Sequence, residues 1–201
     1  MRLVALIGAA LVAVAAPAVA QVAPVPPVVA GERVLGQADA PVTVIEYASF
    51  TCPHCAHWAA DVLPAFKAAY VDTGKVRLVY RDLPTPPAEP SFVAAKVSRC
   101  VASEQAFPVI ETLFAQQGAA RLMRWPAGWF LNAIDQGGRA PQEVIACIED
   151  PATEAALNAD LEAAEAAGVT GTPTFFVNGV RVEDPSLEGL AAVIDPLLAG
   201  H

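Results

Sequence analysis

The chain has 201 residues and carries 12 Lys+Arg against 21 Asp+Glu, a formal net charge of −9. This acidic balance excludes nucleic acid as a partner, because a phosphate backbone demands a basic patch. With the first twenty residues set aside, about 180 remain, enough for one domain with a real core.

Those first residues, "MRLVALIGAALVAVAAPAVA", combine a positive start at Arg2, an apolar run and the small-residue site Ala18-Val19-Ala20. The pattern predicts a signal peptide over 1–20, cleaved after Ala20. A transmembrane anchor fits less well, because Pro17 and its small neighbours suit a peptidase better than a bilayer span. No later stretch is apolar for long enough to cross a membrane, so the mature chain is expected to be soluble and to meet an oxidising compartment. Residues 21–33, rich in proline and valine, are expected to form an extended tail ahead of a single domain over 34–201.

"PVTVIEY" (Pro41 to Tyr47) and "KVRLVYRD" (Lys75 to Asp82) are β-rich runs. Between them Trp58, Val62, Phe66 and Tyr70 recur every four positions, which predicts a helix over Pro53 to Tyr70, kinked by Pro64. Strand, helix and strand of these lengths make a βαβ unit. After the proline-rich break "LPTPPAEP" the pattern is helical from about 88 to 168. Its apolar faces include Val93, Val97, Cys100 and Val101; Ile110, Leu113 and Phe114; and Val144, Cys147 and Ile148. Trp125 and Trp129 read as core aromatics. The last helix of the block is expected over Thr153 to Ala167, stopped by Gly168. "GTPTFFVNGVRV" then predicts a hairpin, Thr174 to Val177 and Val180 to Val182 around Asn178-Gly179, and a final apolar-faced helix precedes Gly200.

The chemistry concentrates in "EYASFTCPHCAHW" (Glu46 to Trp58), where Cys52-Pro53-His54-Cys55 adjoins the βαβ pattern. A C-x-x-C in that setting is a redox signature. A cysteine in the first turn of a helix faces unpaired amides and the positive end of the macrodipole, which lowers its pKa from about 8.5 toward roughly 3.5–7.5. Such a drop, ~3–5 units, favours the thiolate by about 4–7 kcal/mol and makes the disulfide oxidising. His54 can add a hydrogen bond or a charge, and Cys55, one turn further in, is the expected resolving thiol.

Two other readings compete. A structural staple of four residues would restrain little in the unfolded chain, since loop entropy grows with loop length. A copper or zinc site of Cys52, His54 and Cys55 lacks the fourth ligand of a closed zinc centre, with His57 and His201 at no obvious ligand spacing. Of the three pairings that four cysteines permit, a local C-x-x-C leaves Cys100 with Cys147. In an oxidising compartment these two are expected to form a structural disulfide; the alternative is two buried free thiols.

Glu46 lies on the strand entering the motif. Buried beneath Cys55, it would have a raised pKa and could exchange a proton with that sulfur; turned outward, it would be an ordinary surface carboxylate. Pro173, after Gly171-Thr172 and just before a strand, is placed where a cis bond would be a specific feature.

Taken together, "FTCPHC", the preceding Glu46, "VRLVYRDLP" and "GVTGTPTFFVNG" resemble the DsbA-type thiol:disulfide oxidoreductases over most of Val34 to Leu198. The resemblance implies an α/β, thioredoxin-like fold with a helical insertion between the βαβ and ββα halves. It implies a nucleophilic Cys52, a resolving Cys55, a buried Glu46, a cis Pro173, and a Thr172 backbone that pairs with substrate. Pro53-His54 is the dipeptide of the strongly oxidising members. Also implied are a periplasmic location, reduced unfolded exported proteins as substrates, re-oxidation by a DsbB-like membrane quinone reductase, and no cofactor or resident metal. Threonine before the proline also occurs in isomerases and reductases of this fold. Residues 21–33 supply no N-terminal oligomerisation domain, so a monomer is expected.

Overall fold

The structure, a computed structural model, describes residues 24–200. The expected signal peptide, its cleavage site and His201 lie outside the described residues. A short strand β1 (Arg33–Leu35) precedes β2 (Val42–Ala48); α1 (Pro53–Asp61) and α2 (Leu63–Phe66) lead through a wide turn over Lys67–Val71 into β3 (Val76–Asp82). The inserted block follows as α3 (Ala88–Cys100), α4 (Ala106–Leu122), α5 (Ala127–Asp135), α6 (Pro141–Glu149) and α7 (Pro151–Ala166). The chain then returns to β4 (Thr174–Val177), β5 (Val180–Val182) and α8 (Leu187–Ala199). This is a mixed α/β, thioredoxin-like architecture with a helical insertion between its two halves.

The five-stranded sheet has the order β1-β3-β2-β4-β5. β2 and β3 run parallel and the other pairs antiparallel. Alternation along β2 and β3 divides the core. Val42, Val44, Ala48, Leu78 and Tyr80 face α1 and the helical block, whereas Ile45, Tyr47, Val79 and Phe176 face the other way. On that second face Val25 and Val28 of the tail cover the sheet. Arg81 holds the tail there by donating to the carbonyls of Pro26 (2.9 Å) and Pro27 (3.1 Å) and pairing with Glu32 (2.8 Å).

Three sequence expectations need correction. The tail gives way one residue before the expected boundary at 34, since Arg33 already pairs with Tyr80 in β1; a three-residue strand is too short to show a period. The helix from Pro53 is interrupted at Val62 rather than kinked within a continuous run. Pro64 sits in the first turn of a new helix, where its missing N–H costs nothing. The last inserted helix spans Pro151–Ala166, because the Asp150 carboxylate accepts from Ala152 N at 2.8 Å and caps an earlier start. The hairpin falls where Asn178-Gly179 predicts it, both residues at positive φ (46° and 82°), as its tight turn requires. Trp129 is buried as expected; Trp125 is half-buried against it, ring centroids 5.0 Å apart.

A disulfide joins Cys100, the last residue of α3, to Cys147 near the end of α6, with Cα atoms 5.7 Å apart. It ties two members of the inserted block together and leaves Cys52 and Cys55 as free thiols.

Candidate active site

The sheet delivers the site through the end of β2. Past Ala48 the chain turns sharply, Cys52 N donating to Ser49 O at 3.1 Å. Buried hydroxyls seat this turn: Ser49 Oγ lies 2.9 Å from Ser91 Oγ of α3 and 3.1 Å from Thr51 Oγ1, and Thr85 donates to it through both its N–H and its hydroxyl. Cys52 is the N-cap of α1, with extended backbone (φ −80°, ψ 119°), and Pro53 occupies the first helical turn. The sulfur, rather than a capping oxygen, therefore sits where the first turn leaves its amides unpaired.

That placement has an electrostatic result. The Cys52 thiol is lowered from its ordinary value of 9.0 to about 5. The hydrogen bond from Cys55 is the largest cause, supported by the Thr172 side chain and the backbone amides of Cys55 and His54, and opposed by burial. In the thiol form Cys52 Sγ donates to the Thr172 carbonyl at 3.4 Å. Cys55, fully buried, is driven the other way by burial and by its hydrogen bond to Cys52. One pair thus holds a stabilised thiolate beside a thiol that resists ionising.

His54 and Pro53 are exposed, and what His54 gives the sulfur is its backbone amide. Together with Trp58, Thr172, Pro173 and Phe175, His54 lines a groove of about 430 Å³ that opens beside Cys52. The Thr172–Pro173 bond is cis. Trp58 Nε1 donates to Pro185 O (2.8 Å), fixing α1 to the far wall of the groove. His57 faces solvent and pairs with Asp61 at 2.6 Å. Among the described residues no three His, Cys, Asp or Glu side chains converge on a point that could hold a metal ion. Cys52, His54 and Cys55 therefore form no such cluster: Cys55 is buried and His54 is on the outside.

Behind Cys55, Glu46 is 3% exposed and its carboxyl is raised by burial to about 8. Its register partner across the sheet is Tyr80, also buried, and Asp82 follows on the same face of β3. Asp82 holds Arg33 (2.8 Å) and Arg99 (2.7 Å), so the buried acids sit in unequal settings, one paired and one alone. Glu46 Oε1 is buried without a hydrogen-bond partner among the described residues, and burial keeps this carboxyl neutral near pH 7.

A profile described as thioredoxin matches residues 29–196. The chain belongs to the thioredoxin family. Within that family it is 32% identical over 173 residues to a Rickettsia bellii protein provisionally named a protein-disulfide oxidoreductase, covering 82% of this chain and 63% of that one. The chain thus spans about three-fifths of the length of the Rickettsia relatives it matches. Among solved structures, alpha-DsbA1 of Wolbachia pipientis superposes with a TM-score of 0.76 at 26% identity, over 86% of this chain and 93% of that chain. Oxidised BdbD of Bacillus subtilis superposes with the same score at 22% identity, over 88% and 98%, a likeness of fold. The DsbA-type resemblance read from "FTCPHC" and "GVTGTPTFFVNG" is thus a likeness of sequence and of fold.

Sequence reading overlooked two parts of this thioredoxin-family site. The hydroxyls of Ser49, Thr51, Thr85 and Ser91 carry no motif, and nothing local announces that they meet. Gln117 is different. It falls at i+3 from Phe114 and i+4 from Leu113, a polar residue inside an apolar stripe, and that break in the period was a readable signal. It is 3% exposed, and its amide donates to Phe50 O at 2.8 Å and Cys52 O at 2.9 Å.

Proposed function

We propose that this chain is an exported thiol:disulfide oxidoreductase that gives the Cys52–Cys55 disulfide to reduced, unfolded proteins in the periplasm. The observation that carries the reading is the contrast within the pair: Cys52 lowered to about 5 at a helix N-terminus, Cys55 buried and raised beside it. A thiolate that is stable once released makes the reduced enzyme the favoured state, so its disulfide oxidises others.

The reaction runs in two displacements. A substrate thiolate attacks Cys52 Sγ, forming the mixed disulfide and expelling Cys55 as a thiolate. Glu46, neutral near pH 7, gives that buried sulfur its proton, since a carboxylate there costs less than an isolated thiolate. A second substrate thiolate then attacks the substrate sulfur of the mixed disulfide and expels Cys52, a good leaving group because its pKa is low. The substrate loses two electrons and two thiol protons; the enzyme takes both electrons and ends as Cys52 thiolate and Cys55 thiol, one proton restoring Glu46 and the other passing to solvent. The groove beside Pro173 offers an extended peptide apolar walls from Trp58 and Phe175, with the Thr172 backbone as its hydrogen-bonding edge. A DsbB-like membrane quinone reductase is the proposed acceptor of the two electrons, and the enzyme is proposed to work as a monomer.

Equilibration of Cys52–Cys55 with glutathione tests the direction. A potential near −120 mV is expected for an oxidant, and one near −270 mV would make the chain a reductant instead. Thr172 before the cis bond keeps an isomerase as the second reading. Reactivation of a scrambled-disulfide substrate without added oxidant would favour it.

A further inference from the structure

Gln117 belongs to α4, in the inserted block, yet its only side-chain hydrogen bonds among the described residues reach the active-site turn, 65 and 67 positions away. The two hydrogens of one planar NH2 group go to the carbonyls of Phe50 and Cys52. Between those carbonyls lie Thr51 and the Cys52 backbone, so the two anchors fix the torsions that aim Sγ. Cys52 O also accepts from Ala56 N at 3.3 Å, the first hydrogen bond of α1. One amide therefore grips both the approach to the helix and its opening bond. Phe114, one turn earlier on α4, packs on the Phe50 ring at 5.0 Å and keeps the same face of the helix against the turn.

The cost of placing this amide argues that it is held for a purpose. A glutamine with 3% exposure gives up its hydration and much of its rotamer freedom, and an apolar residue of similar volume would fill the stripe Leu113, Phe114, Gln117 and Ala120 without either loss. What such a residue could not do is donate to the carbonyl of Cys52 itself and to that of Phe50, two residues before it. A carbonyl held by a buried N–H group keeps a fixed direction, and the backbone that carries the sulfur is fixed with it.

We propose that Gln117 is a positioning residue for Cys52: through it the inserted helical block holds the active-site turn so that the sulfur meets the amides of α1. This rests on the reading of Cys52 as the attacked sulfur. The titratable groups around that sulfur are Cys55 and His54 of α1, with Glu46 of β2 behind Cys55; α4 contributes the neutral Gln117 and the loop before β4 the neutral Thr172.

The test is the titration of the Cys52 thiolate, followed by its ultraviolet absorbance in the reduced full chain, in wild type, Gln117→Met and Gln117→Glu. Gln117→Met keeps the volume and removes both donors; its Cys52 pKa should rise by about one unit, a tenfold weaker acid. The equilibrium with glutathione should shift about tenfold toward the disulfide at pH 7. Gln117→Glu, once ionised, sets an acceptor against two carbonyls and should raise Cys52 further. A folded variant whose Cys52 titrates as in wild type overturns the proposal. If wild-type Cys52 itself titrates as an ordinary thiol, the reading of Cys52 fails instead. In the unmutated chain, the Gln117 side-chain amide resonances should move with the Cys52 titration. Resonances indifferent to it overturn the proposal even if neither variant folds.

Discussion

The chain holds two cysteine pairs, and their surroundings assign them opposite behaviour. Cys52 opens a helix, where unpaired amides and the macrodipole favour negative charge on sulfur. Cys100 and Cys147 both lie at the closing ends of helices, α3 and α6, where the dipole points the wrong way for a thiolate. Cys100 is fully buried, and Val97 and Val144 beside the pair are too. The first pair adjoins the groove of Trp58 and Phe175; the second joins α3 to α6, with Cys100 buried and Cys147 half-buried. The same side chain meets opposite electrostatic surroundings at the two ends of a helix.

Substitution gives the harshest test of that contrast. Cys52→Ser should abolish disulfide transfer in a turnover assay, whereas Cys55→Ser should accumulate mixed disulfides visible on non-reducing gels. Full multi-turnover oxidation by Cys55→Ser would remove the asymmetry from the first pair. The clamp is tested by Cys100→Ala combined with Cys147→Ala, expected to cost roughly 2–5 kcal/mol of stability and lower Tm while leaving transfer largely intact. If the double variant melts like wild type, the second pair is no clamp.

The pairs should also differ in how stability follows pH. Cys52 is depressed in the folded dithiol form, so its contribution is present above its ordinary 9.0 and is lost as pH falls through about 5. The disulfide form has no such thiolate. The stability of the dithiol relative to the disulfide should therefore climb between pH 5 and 9, as denaturant unfolding of both forms would record. A flat difference would deny that the folded chain stabilises the Cys52 thiolate. Glu46 moves oppositely: raised by burial, it stabilises below about 4.5, and that contribution is lost as pH rises through about 8. Glu46→Gln should leave stability unchanged at pH 4 and raise it at pH 9, by a few kcal/mol at most at roughly 1.4 kcal/mol per unit. It should also slow resolution of mixed disulfides. The smallest effect is expected at the exposed His57–Asp61 pair of the same helix. Asp61→Ala should change stability by no more than about 1 kcal/mol and leave the Cys52 titration in place.

Local chemistry made several elements legible. β2 and β3 announce themselves through β-branched and aromatic residues, the hairpin through Asn178-Gly179, and the reactive pair through its two-residue spacing next to a strand. Each depends on neighbours in the chain, which is what a period or a turn signal reports. β1 escaped because three residues carry no period. The interruption at Val62 escaped because Pro64 serves equally as a kink or as a helix start, and nothing in the local pattern selects between them.

The active site divides in the same way. By itself the sequence singled out the Cys52–Cys55 pair, the proline of the loop before β4 and the carboxyl that leads into the turn, since these travel within short motifs. Tertiary structure alone decided that Glu46 Oε1 has no partner among the described residues while Asp82 holds two arginines, that Ser49 meets Ser91, and that Gln117 reaches Cys52 from α4. Burial and long-range hydrogen bonds are properties of a place in space. They join residues tens of positions apart, and no local pattern encodes the meeting.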